Sequence, residues 1–171
     1  MQTNTRRVAR AVILVAIGIA LSPFTSFPIG IAKVNPTQHF VNILSAVLLG
    51  PWWATVIAAI IGAIRNALGV GTLLAFPGGM IGAFLAGYAF RLTRNIYLAA
   101  LGEIVGTGIL AALVSGWLVA PVLMQTSMSM AVLIGSFLGS TILGTVLGLV
   151  ALKLLERVGY GGQDQDSTPG E

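Results

Sequence analysis

The chain has 171 residues, 56% of them hydrophobic and 8% charged, with no cysteine and a net charge of +4. A soluble domain carries about 25% charged residues, so a water-facing surface over most of this chain is excluded, as are disulfides and thiolate metal sites. Between Ala11 and Leu152 the only formal charges are Lys33, Arg65, Arg91, Arg94 and Glu103, the pattern of an integral membrane protein.

In chain order, Arg6, Arg7 and Arg10 precede the apolar run Ala11–Ala32 and look like a cytoplasmic anchor. A signal peptide is the competing reading. No A-x-A-like cleavage site follows and the run is long enough to span, so a retained first helix is expected. Because three of the nine basic residues belong to this anchor, the positive charge does not point to nucleic acid.

The next uncharged stretch, Val34–Ile64, is long for one span and carries Gly50-Pro51, a turn signal, in its middle. The positive-inside rule arbitrates. With a cytoplasmic turn at Gly50-Pro51, Arg6, Arg7, Arg10, Arg91, Arg94, Lys153 and Arg157 lie inside and Lys33 and Arg65 outside, seven against two; a single span would give four against five. The expectation is therefore an all-α bundle of six transmembrane helices with both termini cytoplasmic. Residues 1–158 form one membrane domain, and the polar tail 159–171 is disordered. The second and third helices run over about 36–49 and 51–67, with Trp52-Trp53 at the inner interface. The stretch Asn66–Phe90 supplies the fourth, and Asn95–Leu152 divides at Pro121 and Gln125-Thr126-Ser127 into helices near 96–118 and 127–157.

Small residues mark tight helix contacts in lipid. They recur as Gly78, Gly82 and Ala86 in the fourth helix, Gly102 and Gly106 in the fifth, and Ser136, Ser140, Gly144 and Gly148 in the sixth. Those three faces read as packing within the chain. Ala16 and Ala20 of the first helix are candidates for contact with a partner protein.

The polar residues are few and grouped. In Lys33-Val34-Asn35-Pro36-Thr37-Gln38-His39, Asn35 is an N-cap, Pro36 the first helical residue and Gln38 the third, a capping-box arrangement. His39 and Asn42 continue inward from Asn35 on the same face. A polar face entering the membrane must meet a cavity, a ligand or another polar group. Arg65-Asn66 ends the third helix ahead of a loop, Gly69–Ala75, able to close over a small ligand; a snorkelling arginine is the bland alternative. Glu103, with Thr107 one turn on, is the single acid within the bundle. It is either a ligand acceptor, a proton site, or the ion-pair partner of Arg65 or another arginine.

No H-E-x-x-H, G-x-S-x-G or Walker A sequence is present, and the lysines follow Ala32 and Leu152. No metal site, resident cofactor or catalytic group is expected. Phe40, Phe76, Trp117 and Trp53 are available to stack on a ring, so a small heteroaromatic ligand suits the composition.

Three stretches carry a family resemblance. They are Lys33–His39, Arg65-Asn66 with Leu73-Leu74-Ala75-Phe76-Pro77-Gly78, and Gly102-Glu103-Ile104-Val105-Gly106-Thr107-Gly108. Together they resemble the ThiW family, from about Arg7 to Arg157. That resemblance implies a substrate-binding (S) component of an energy-coupling factor transporter in a prokaryotic plasma membrane. Such a component captures hydroxyethylthiazole, the thiazole precursor of thiamine, on the outer side under a lid formed by the loop after the first helix. It implies association with a transmembrane coupling protein and two cytosolic ATPases, which use the ATP, with Ala16 and Ala20 matching an Ala-x-x-x-Ala contact. The expected substrate-binding residues are Asn35, His39, Asn42, Arg65, Asn66, Glu103 and Thr107, with the loops Phe27–Asn35 and Gly69–Ala75 closing over the ligand. An S component for another precursor, such as the thiamine pyrimidine, and a self-sufficient proton-coupled carrier using Glu103 are the alternatives.

Overall fold

A computed structural model describes residues 2–159, with side chains from Thr5 onward. All of the expected tail except Gly159 lies outside the described residues. The described residues contain six helices: α1 (Gln2–Thr25), α2 (Pro36–Leu49), α3 (Pro51–Ala67), α4 (Ala75–Thr93), α5 (Ile96–Leu123) and α6 (Met130–Arg157).

Local chemistry sets most of their ends. Asn35 caps α2, its side-chain oxygen accepting from Gln38 N at 2.9 Å, and Pro36 occupies the first turn, where the missing N–H costs nothing. Gly50 adopts φ 88° and Pro51 starts α3, so the chain reverses there within one residue. Asn95 caps α5 through Tyr97 N and Leu98 N.

Two details of the expected spans are corrected. The connection from α1 to α2 is not an irregular loop. Phe27–Ile29 (β1) and Ala32–Val34 (β2) form an antiparallel hairpin between α1 and α2, turning at Gly30 with φ 59°. Along β2, buried Ala32 and Val34 flank the more open Lys33, the two-residue alternation of a strand with one face covered. The fifth helix also runs past Pro121 to Leu123, and the sixth begins at Met130 instead of 127. Two π-helical stretches, Gly106–Ala111 and Ser115–Leu123, widen α5, and the second contains Pro121. A wide turn accepts a residue without an N–H more readily than an α-turn does.

By length and apolarity α1, α5 and α6 suffice to cross a membrane. The 14-residue α2 measures about 21 Å at 1.5 Å per residue, short of a hydrocarbon core of about 30 Å. It is sheltered by α1, α3, α4 and α6, which pack around it.

Buried side chains fall into layers, and α5 displays them in order. Ala99 and Ala100 belong to one apolar cluster with Val41, Ile43, Ile57 and Ile61. Glu103 and Thr107 follow, both buried, and then Ala111 and Ala112 join a second cluster with Leu74, Leu133 and Phe137. The polar layer at Glu103 and Thr107 thus sits between two apolar ones. Glycines allow that layer to close. A Cβ on Gly82 would overlap Thr107 Oγ1, and one on Gly144 would lie 3.0 Å from Phe40 N.

The end of the bundle opposite the hairpin gathers the remaining charge. Gly87 packs on Pro51, and Lys153 Nζ lies 5.2 Å from the Tyr97 ring. The Gly50-Pro51 turn, the end of α4 with Arg91 and Arg94, the start of α5 and the end of α6 therefore share one side. Trp52 is exposed there, in edge contact with Phe84.

Candidate functional site

A cavity with about 350 Å³ of empty space, its mouth included, opens at the hairpin end. Strand β2, the first turns of α2 and α4, the end of α3 and the middles of α5 and α6 contribute its walls.

On one wall, Asn35 is fully engaged as a structural residue. Besides capping α2, its Nδ2 donates to Ser26 Oγ at 2.6 Å and Ser22 O at 3.3 Å, fastening α2 to the end of α1. Gln38 completes only half of a capping box. Its side chain turns inward instead, donating to Ala58 O at 3.5 Å and accepting from Arg65 Nη1.

Below lies a buried cluster drawn from three helices. Glu103 Oε1 accepts from His39 Nδ1 at 2.9 Å and Asn42 Nδ2 at 3.0 Å. Thr107 Oγ1 stands 3.2 Å from the same oxygen and 2.8 Å from Gly78 O, so its single proton serves one or the other. Asn42 Nδ2 also donates to Gly79 O at 3.0 Å, which fixes the orientation of its amide. The partner of Glu103 is therefore His39; the alternative of an ion pair with Arg65 is overturned. Because Nδ1 is committed to the carboxylate, His39 offers Nε2 to the cavity it lines.

Arg65 reaches across from α3. Its Nη2 contacts Ser26 Oγ at 3.4 Å, Lys33 O at 3.3 Å and Val70 O at 3.4 Å, so one guanidinium ties the end of α1, the hairpin and the following loop together. Lys33 Nζ donates to Gly69 O across the same gap. Asn66 donates from Nδ2 to Gly62 O and Thr72 O, both at 2.9 Å, and holds the 69–75 loop from behind.

Of the seven expected residues, Asn35, His39, Arg65 and Thr107 line the cavity. Asn42 and Glu103 lie beneath it, and Asn66 positions the loop. The aromatic candidates fare differently. Trp117 is 72% exposed on the outer surface, and Phe40 and Trp53 pack against the lower apolar cluster. Phe137 of α6 is the aromatic ring on the cavity wall, beside Ser140. Ser140 was legible only as part of a packing face, and Phe137 carried no mark in the sequence. Ser26, missed entirely, receives hydrogen bonds from both Asn35 and Arg65.

The lining offers neutral donors and acceptors, one aromatic ring and two cations around a small volume, groups able to bind a ligand. Among the described residues no three His, Cys, Asp or Glu side chains cluster as a metal site would require. The family model of the thiamine-precursor transporter protein (ThiW) matches residues 8–158, which include every residue of this site. The chain belongs to the ThiW family. Comparison with curated proteins and with solved structures returned no match.

ThiW membership makes the chain a thiamine-precursor transporter, and its apolar helices make it a membrane protein. In this ThiW chain the loop over the cavity is held by hydrogen bonds from Lys33, Arg65 and Asn66 and by the buried side chain of Leu74. Asn66→Ala removes two carbonyl partners, a loss of about 1–2 kcal/mol. Amide hydrogen exchange across residues 68–75 is expected to accelerate severalfold while α5 and α6 keep their protection.

Proposed function

We propose that this ThiW chain is the substrate-capture component of an energy-coupling factor importer and that it takes hydroxyethylthiazole from the outer face of a prokaryotic plasma membrane. The observation that carries the reading is the cavity itself, which opens beside the hairpin and the 69–75 loop at the end of the bundle opposite Arg91, Arg94 and Lys153. By the positive-inside rule that opposite end is cytoplasmic, as are both termini, and residues 1–158 cross the bilayer six times as one domain.

His39 Nε2 meets the ring nitrogen or the hydroxyl, Thr107 and Ser140 supply further hydrogen bonds, and Phe137 packs on the ring. Asn42 and Glu103 act through His39, fixing its tautomer and orientation. The chain carries no phosphate-binding loop of its own, so ATP is used by two cytosolic ATPases reached through a transmembrane coupling protein. Ala16 and Ala20 support that partnership: they lie on the exposed face of α1, opposite Leu14, Gly18 and Ser22, which pack inward.

Calorimetric titration of the purified chain with hydroxyethylthiazole, thiamine and the free pyrimidine tests the reading. Selective thiazole binding is expected, weakened about tenfold or more in His39→Ala, the loss of a buried hydrogen bond with its partner left unpaired. Binding of the pyrimidine alone would transfer the site to that precursor, and binding of none would sink the proposal. The buried His39–Glu103 pair favours a second reading, a self-sufficient proton-coupled carrier. Uptake by liposomes containing this chain alone, driven by a pH gradient, would establish it.

A further inference from the structure

The charge of the cavity is unbalanced. Arg65 is 2% exposed and lines it, yet its guanidinium meets only neutral acceptors: Gln38, Ser26 and the carbonyls of Lys33 and Val70. Its Nε has no partner. Glu103, the buried acid among the described residues, makes its ion-pair contact with His39 and accepts from His39 and Asn42 at Oε1, with no bond to Arg65 from either oxygen. A buried cation without an anionic partner is costly. The C-terminal end of α3, where Arg65 sits, offsets part of that charge, but a helix end carries only about half an elementary charge.

The other formal charge on the lining has the same sign. Lys33 lines it and no carboxylate does. The first turns of two helices, α2 of 14 residues and α4 of 19, also border it, and the positive end of each helix dipole favours an anion. At α4 the residue preceding the helix, Leu74, supplies no side-chain cap.

We infer that the cavity contains an oxyanion subsite centred on Arg65, and that its preferred ligand is a small heteroaromatic ring bearing a phosphate monoester or carboxylate, rather than the neutral alcohol. The inference rests on the cavity being the precursor-capture site proposed above, and it names the chemical class that site selects. Arg65 Nε and the Lys33 ammonium take the oxyanion, leaving His39 and Phe137 for the ring.

Binding to the purified full chain decides it, with three ligands compared: hydroxyethylthiazole, its phosphate monoester, and the thiazole carrying a carboxylate in place of the hydroxymethyl end. At least one anion is expected to bind tenfold or more tighter than the alcohol, the size of one charge-assisted hydrogen bond, and which anion does so identifies the source of the oxyanion. Arg65→Gln should lower the favoured anion's affinity at least tenfold more than the alcohol's, erasing that preference. Should Arg65→Gln fail to fold, Lys33→Gln, at the more open hairpin, should still reduce the preference by roughly threefold, as expected of a partly exposed charge. An alcohol that binds as tightly as both anions overturns the subsite and leaves the capture site standing. Failure of all three ligands to bind removes both.

Discussion

Glu103→Ala is expected to be the most damaging single substitution in the polar layer. It would leave His39 Nδ1 and Asn42 Nδ2 without their shared acceptor at a position that is 0% exposed. Hydrogen bonds to a charged group contribute about 1.5–3 kcal/mol each, and a buried donor left without its acceptor adds a desolvation cost. Thermal unfolding of the detergent-solubilised protein should show a drop of many degrees, and thiazole binding should vanish as His39 loses the group that orients it. Glu103→Gln separates the two effects. Its amide keeps an oxygen to accept from His39, so most of the stability should return. Binding should recover only in part, because a neutral acceptor holds the imidazole less firmly than a carboxylate. A Glu103→Ala protein with unchanged melting and binding would show that the cluster is incidental.

Gly106→Ala is expected to do comparable harm by a different route. A Cβ at that position would lie 2.8 Å from Gly82 Cα and 3.1 Å from Ile81 O. Both obstacles are backbone atoms, so no rotamer change relieves the overlap and α5 must move away from α4. Overpacking of this kind costs about 1–3 kcal/mol, occasionally more. The same displacement pulls Thr107 and Glu103 from Gly78, Asn42 and His39, so the ligand site should be lost with the packing. Gly139→Ala on the outer face of α6 is the control. A Cβ there meets nothing within 4 Å, and the gain in helix propensity of about 1 kcal/mol predicts equal or higher stability. Melting curves of the two variants in one detergent make the comparison, and equal behaviour would refute the close-approach account.

The accuracy of the helix limits differs along the chain for physical reasons. For α2 and α3 the expected spans match the observed ones because Asn35-Pro36 and Gly50-Pro51 act within a few residues: a cap, a fixed φ and a positive-φ glycine need no distant partner. For α5 the same logic misplaced the end. Proline is a breaker in an α-turn, but Pro121 sits in a π-helical stretch that carries on to Leu123. The hairpin Phe27–Val34 was read as loop, being short, with its Gly30 turn flanked by apolar residues on both sides.

Most of the site's residue types were visible as anomalies: a histidine, an asparagine and a glutamate where the bilayer disfavours them. Their pairing was not. His39 and Glu103 are 64 positions apart, and both Arg65 and His39 were chemically acceptable partners for the acid. Phe137 was hidden for a related reason, since an apolar residue on an apolar helix carries no mark of the face it presents.

From its sequence alone, then, this chain is a membrane protein of helices with a small set of polar residues that require an explanation, because charge content, hydropathy and capping act locally and sum along the chain. Only the tertiary structure decided that Glu103 belongs to His39 and Asn42, that Arg65 is left without a carboxylate, and that Phe137 joins them at one cavity. Those outcomes depend on how each helix is rotated about its axis. The rotation is set by close approach at Gly82, Gly106 and Gly144, a matter of contacts between residues far apart in the chain.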